Sequence, residues 1–253
     1  MGSRKFNTKM LTGSACVNSL ELLSRLTHVS KKTADSHLEE NEKNWKEYKE
    51  RLGSRYIERQ HDLDMFKYGS HRKTLQKMFM GDKPFTASRN SCEVISVYNA
   101  LENLGIKNEE TTFPRLLNYF EKNASILKGY FGTSFTGIIR YFKRNGYGYK
   151  SFVGKNITKE NIDILEKEYA TYIFMSYNNT ENIADMIHTM SITKEEQGFF
   201  IHNSFCKPIF FESLYDAVVG YNSDNGFTSR PIIVMGINKP EKAEDKSDIQ
   251  SEE

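Results

Sequence analysis

From Cys92 to Leu104 the apolar residues Val94, Val97, Tyr98, Leu101 and Leu104 recur at three- and four-residue intervals and stop before Gly105. That is the stripe of an amphipathic helix. Thr112 and Pro114 sit where an N-cap and an early helical residue belong, opening a second helix through Leu117 and Phe120. Ser134 to Arg144 is a third, closed by Asn145-Gly146. The period then shortens. Tyr147–Val153, Thr171–Tyr177, Ile187–Thr193, Gly198–Asn203 and Pro231–Ile237 read as strands. Helices over Thr158–Lys167, loosely capped by Thr158 and Asn161, and over Phe211–Val219 interrupt them. Helices first and strands afterwards predict an α+β fold, not alternating βαβ units.

The first 80 residues have a different texture. Asn18–Leu26 reads as a short helix with Leu22, Leu23 and Leu26 on one side. Thr33–Tyr56 reads as a long polar helix whose sparse stripe of Leu38, Trp45, Tyr48 and Leu52 can dock on another surface but cannot form a core alone. Arg72–Phe79 is a further helical stretch, ended by Gly81 and Pro84. The expected organisation is a helical N-terminal extension over 1–80, a main domain over 81–238 and a disordered acidic tail over 239–253, where six acids and three lysines accompany one large aliphatic residue.

Composition narrows the function classes. A net charge of +2, from 35 basic and 33 acidic side chains, gives no global field that selects nucleic acid or a membrane surface. No stretch has the length of apolar chain that spans a bilayer. LTGSACV is too short and polar for a signal-peptide core, and three Cys in 253 residues make no disulfide framework. A reducing cytoplasm is the expected compartment.

Cys92 opens the helix that follows it, where unpaired N–H groups and aligned peptide dipoles favour a thiolate and can hold an oxyanion. Taken alone it reads equally well as a buried structural cysteine. Ile187–Thr193 and Gly198–Asn203 are joined by Lys194-Glu195-Glu196-Gln197. A hairpin with that four-residue loop puts Thr193 opposite Gly198 and His188 opposite Asn203, with Cβ atoms about 4.5 to 5.5 Å apart. An Asn oxygen at that distance orients an imidazole. His202 points to the other face, opposite Thr189, with no carboxylate or amide to orient it.

NSCEVISVYNALENLG, IHTMSI and GFFIHNSF together resemble the active-site segments of papain-like cysteine peptidases, most closely the bacterial enzymes that remove double-glycine leader peptides from bacteriocin precursors. The resemblance spans roughly residues 86 to 238. It implies a nucleophile-bearing helix packed on an antiparallel sheet, with Cys92 as nucleophile, His188 as base and acid, and Asn203 as orienter. It implies a peptide or protein substrate and no cofactor. Two departures stand out. The family places a Gln five or six residues before the Cys, where this chain has Ala87 and Thr86, leaving Asn90 as the candidate oxyanion donor. The small residue that follows the nucleophile is Glu93, whose charge raises a neighbouring thiol's pKa unless it points away.

The same triad serves hydrolysis or acyl transfer, and a papain-like cleft without activity serves peptide binding. A metal site is not expected: Cys206 lies near His202 in sequence, but no CxxC pair exists, and His28, His37, His61 and His71 are read as surface residues. Gly129, Gly132 and Gly137 lack nucleotide-loop spacing. Thr12-Gly13-Ser14-Ala15-Cys16 is weakly similar to a double-glycine cleavage site, which would make the N-terminal region a pro-segment or lid; an ordinary helical appendage is the expectation adopted.

Overall fold

The computed structural model describes residues 13–70, 86–178, 187–204, 207–222 and 230–240. The expected helix at Arg72–Phe79, the side chains of His71 and Cys206, and residues 241–253 of the expected tail lie outside them.

The fold is α+β. Eight α-helices are present among the described residues: α1 (Gly13–Thr27), α2 (Lys31–Arg51), α3 (Ala87–Asn90), α4 (Cys92–Asn103), α5 (Phe113–Asn123), α6 (Phe135–Arg144), α7 (Lys159–Glu168) and α8 (Leu214–Val219). Six strands, β1 (Tyr147–Val153), β2 (Thr171–Tyr177), β3 (Ile187–Glu195), β4 (Gly198–His202), β5 (Ile209–Phe211) and β6 (Arg230–Pro240), form one sheet in the order β1-β6-β2-β3-β4-β5. Every neighbouring pair is antiparallel. β6 runs to Pro240, two residues into the expected tail. No helix among the described residues is long and apolar enough to cross a membrane.

Local chemistry explains most boundaries. Ser134, Thr158 and Ser213 each cap a helix by accepting a main-chain N–H three residues on. The Ser213 cap starts α8 later than the apolar pattern suggests, and Ile209–Phe211 pairs with β4 instead of entering a helix. α2 stops at Arg51, short of the expected Tyr56, and Leu52 caps it by donating its N–H to Tyr48 O.

Two cores flank the sheet. One gathers Val94, Val97, Tyr98 and Leu101 of α4 with Ile173, Met175, Tyr177, Met235 and Ile237. The other gathers Ile162, Leu165, Phe174, Met190, Ile192, Ile201 and Leu214. The N-terminal region belongs to the first: Trp45 and Tyr48 of α2 pack with Phe66, Tyr98 and Phe113 at ring-centroid distances of 5.5 to 6.2 Å. Polar ties reinforce the docking. Asn41 exchanges two bonds with the Lys67 main chain, and His37 Nδ1 lies 2.8 Å from the buried Glu121. His37 is therefore a paired residue, against its reading as a surface one. The α1 side that carries Leu22, Leu23 and Leu26 faces outward: Leu22 and Leu26 are 60% and 74% exposed, while Cys16, Val17 and Ser24 are buried. Cys16 is thus held inside the fold, and the small-residue stretch from Gly13 onward is helix.

Candidate active site

Cys92 is the first residue of α4 and is buried. α4 lies across β3, where Ser96 Oγ is within reach of both Cys92 O (2.8 Å) and Thr189 O (3.1 Å). The Cys92 sulfur accepts the main-chain N–H groups of Thr189 and Glu93. Those donors favour the thiolate, but burial and the Glu93 carboxylate outweigh them and push the thiol well above its ordinary value of 9.0.

Glu93 does not point away. Its buried carboxyl accepts the Cys92 thiol and, at 3.3 Å, the Thr133 N–H. Burial raises it to about 7. Gly132 makes this arrangement possible: a Cβ there would lie 2.7 Å from Glu93 Oε2 and 3.2 Å from Asn90 O, on a backbone with φ of +65°. Asn90, the expected oxyanion donor, is buried at the end of α3 with its main-chain oxygen against Gly132.

The β3–β4 register differs from the expected one. Glu195 pairs with Gly198 and Ser191 with His202, so the turn is only Glu196-Gln197 and β3 is two residues longer than expected. An even slip keeps every side chain on its face, so His188 still meets Asn203, though not as expected. His188 Nε2 lies 2.7 Å from the main-chain oxygen of Asn203. The Asn203 side chain turns elsewhere, with Nδ2 donating to Gln60 Oε1 at 3.3 Å and Oδ1 buried without a partner among the described residues. A φ of +62°, which Asn tolerates better than most residues, aims the carbonyl at the ring. Burial lowers His188 to about 4, so the ring is neutral near pH 7. A carbonyl can only accept, so Nε2 carries the proton and Nδ1 is the basic nitrogen.

Alternation along β3 sets what each histidine reaches. Thr189, Ser191 and Thr193 pair with Met175, Ile173 and Thr171 and share their face, the one that carries α4. His202, opposite Ser191, shares it too. His188 belongs to the even set with Met190 and Ile192. Cys92 meets β3 at its main chain, through the Thr189 N–H, from the face that carries α4, whereas alternation directs the His188 side chain to the opposite face. The structure thus brings Cys92 to the strand of His188 but not to its ring.

His202 does have a carboxylate, contrary to expectation. Its Nδ1 lies 2.7 Å from Glu58 Oε1, its Nε2 lies 2.9 Å from Thr193 Oγ1, and Tyr56 packs on the ring at 4.2 Å. With both nitrogens engaged, its ring is fixed between Glu58 and Thr193. Glu58 and Gln60 were invisible to pattern reading because they precede their partners by 144 and 143 residues. Beside them a cavity of about 530 Å³ is lined by Tyr48, Arg51, Tyr56, Glu58 and Arg59 among others. No group of three His, Cys, Asp or Glu among the described residues is placed to hold a metal ion.

Comparison with family models, with curated proteins and with solved structures finds no match to this chain.

Proposed function

We propose that the protein is a papain-like, cysteine-dependent hydrolase of peptide or amide bonds, with Cys92 as nucleophile and His188 as its base and acid. The observation that carries this reading is the junction at β3. The sulfur accepts the N–H of Thr189, and the preceding residue is a histidine whose Nε2 proton is fixed on Asn203 O. With the proton on Nε2, Nδ1 is the nitrogen that carries the lone pair. A helix on an antiparallel sheet with its N-terminal cysteine at the sheet's main chain supports the papain-like assignment.

The reaction requires the His188 ring, at the start of β3, to come round to the face that carries Cys92; Nδ1 then takes the thiol proton as sulfur bonds to the substrate carbonyl carbon. The carbonyl electron pair moves to oxygen, beside the N–H groups that open α4. The leaving amine departs with the proton from Nδ1. Water, deprotonated by the same nitrogen, then releases the acid and restores the thiol. Burial favours neutral thiol and neutral imidazole before substrate binds, so proton transfer belongs to the attack step and not to a resting ion pair. An amine or thiol acceptor in place of water would make the same groups a transferase.

Digestion of a random peptide library tests the reading. New N-termini are expected with wild type and not with Cys92→Ser or His188→Ala. A library that wild type binds but leaves intact would replace the enzyme reading with peptide binding.

A further inference from the structure

The segment Tyr56–Leu63 joins the two halves of the site. On one side it is fastened to the nucleophile helix: Ile57 N donates to Asn99 Oδ1 at 2.8 Å, and Asn99 Nδ2 donates back to Ile57 O at 3.0 Å. Asn99 is buried on α4, two turns beyond Cys92. On the other side it is fastened to the histidine hairpin, by Glu58 on His202 and by Gln60 on Asn203. Ile57, Gln60, Asn99, His202 and Asn203 are all buried. A deeply buried bond of this kind carries more weight than one at the surface, because losing a partner leaves an amide with no water to replace it.

From this bridge we infer that Gln60 is a positioning residue of the site, setting the orientation of His188 through Asn203. Asn203 is held at two points, its carbonyl on His188 Nε2 and its amide on Gln60 Oε1. Its Oδ1 already lacks a partner among the described residues. Without Gln60 the Asn203 side chain would have no partner among the described residues, and the residue would leave its left-handed conformation for one that lets the amide find a donor or acceptor. The carbonyl would swing with it, and the imidazole would lose the contact that fixes its tautomer. The N-terminal region is then part of the machinery and not an appendage to it.

This inference rests on the proposed role of His188, and the test separates the two. Alkylation of Cys92 by iodoacetamide is followed against pH in the full-length chain, with the site identified by peptide mapping. The ring nitrogens of His188 are followed by ¹⁵N NMR. The variants are His188→Ala, Gln60→Met, which removes the acceptor, and Gln60→Glu, which keeps it. Gln60→Met is expected to slow His188-dependent alkylation at least about tenfold, as misplacement of a catalytic group does. It should also erase the Nε2–H tautomer signature, and Gln60→Glu should restore both. Wild-type rate and tautomer in Gln60→Met would overturn the positioning role. If His188→Ala alkylates like wild type, the functional reading fails instead. If Gln60→Met does not fold, Gln60→Asn, which withdraws the acceptor by one methylene, takes its place: a lost Nε2–H signature supports the inference and a wild-type one overturns it.

Discussion

Nε2 of His188 lies 2.7 Å from the main-chain oxygen of Asn203, so the group that orients the imidazole belongs to the backbone and not to the asparagine amide. What position 203 must supply is a conformation. A left-handed φ of +62° costs most L-residues about 1 to 2 kcal/mol and costs glycine almost nothing. Asn203→Gly and Asn203→Ala lose the bond to Gln60 alike. Asn203→Gly should nevertheless retain the faster His188-dependent alkylation of Cys92. Equal rates in the two variants would mean that the carbonyl direction is not what matters.

Glu93 opposes ionisation of the Cys92 thiol. Its carboxylate accepts the Cys92 thiol and, once ionised above about pH 7, opposes formation of the thiolate. Glu93→Gln should raise Cys92 alkylation severalfold or more above pH 7, because a neutral amide no longer holds the thiol up. Below pH 6, where Glu93 is already protonated, the variant and wild type should converge. A pH-independent change would assign the effect to packing.

The same two buried groups bend the stability profile in opposite directions. Glu93 is raised from 4.5 to about 7, so its contribution is complete below pH 4.5 and is lost as pH climbs towards 7. His188 is lowered from 6.5 to about 4, so its contribution is complete above pH 6.5 and is lost as pH falls towards 4. The two windows overlap, so between pH 4.5 and 6.5 the slopes offset each other in wild type; urea midpoints measured there should rise with pH in Glu93→Gln, where His188 remains, and fall with pH in His188→Gln, where Glu93 remains. Profiles parallel to wild type in both variants would contradict these environments.

Gly132→Ala should destabilise the fold by about 2 kcal/mol, since the new Cβ would meet Glu93 Oε2 at 2.7 Å on a positive-φ backbone. Part of that loss should disappear in the double variant with Glu93→Ala, which removes the obstructing carboxylate. Additive losses would show that backbone strain alone is responsible. Chemical denaturation measures both.

Trp45 joins α2 to the core that supports Cys92, among Tyr48, Phe66, Tyr98 and Phe113. Trp45→Ala should cost about 3 to 5 kcal/mol and unfold the chain in a single transition. Two separate transitions would mean that the N-terminal region is an independent unit.

Much of the fold is legible in the sequence because the signals are local. β1 and β2 begin and end where alternation predicts, and Cys92 opens α4 because the apolar stripe and the break at Gly105 both mark that helix. The hairpin register is two residues off because Lys194 and Glu195 look like loop, whereas they are the exposed end of a strand. Their polarity reports solvent, not conformation. His188 and Asn203 are still brought together, since an even slip preserves the faces, but the choice of carbonyl over amide depends on a single φ that no pattern encodes. Glu58 and Gln60 carry no periodic signal at all. Their meaning comes from a short 3-10 turn at Gln60–Leu63 meeting a strand more than 140 residues away.

The most direct test of the central claim is covalent capture of Cys92. The chain is incubated with a thiol-reactive peptide mimic at pH 7, and the adduct is followed by intact mass and mapped to its residue, in wild type and in folded His188→Ala. Rapid labelling of Cys92 in wild type, lost in His188→Ala, is the predicted result. Labelling of His188→Ala at the wild-type rate would contradict the account, leaving Cys92 an accessible thiol without a base.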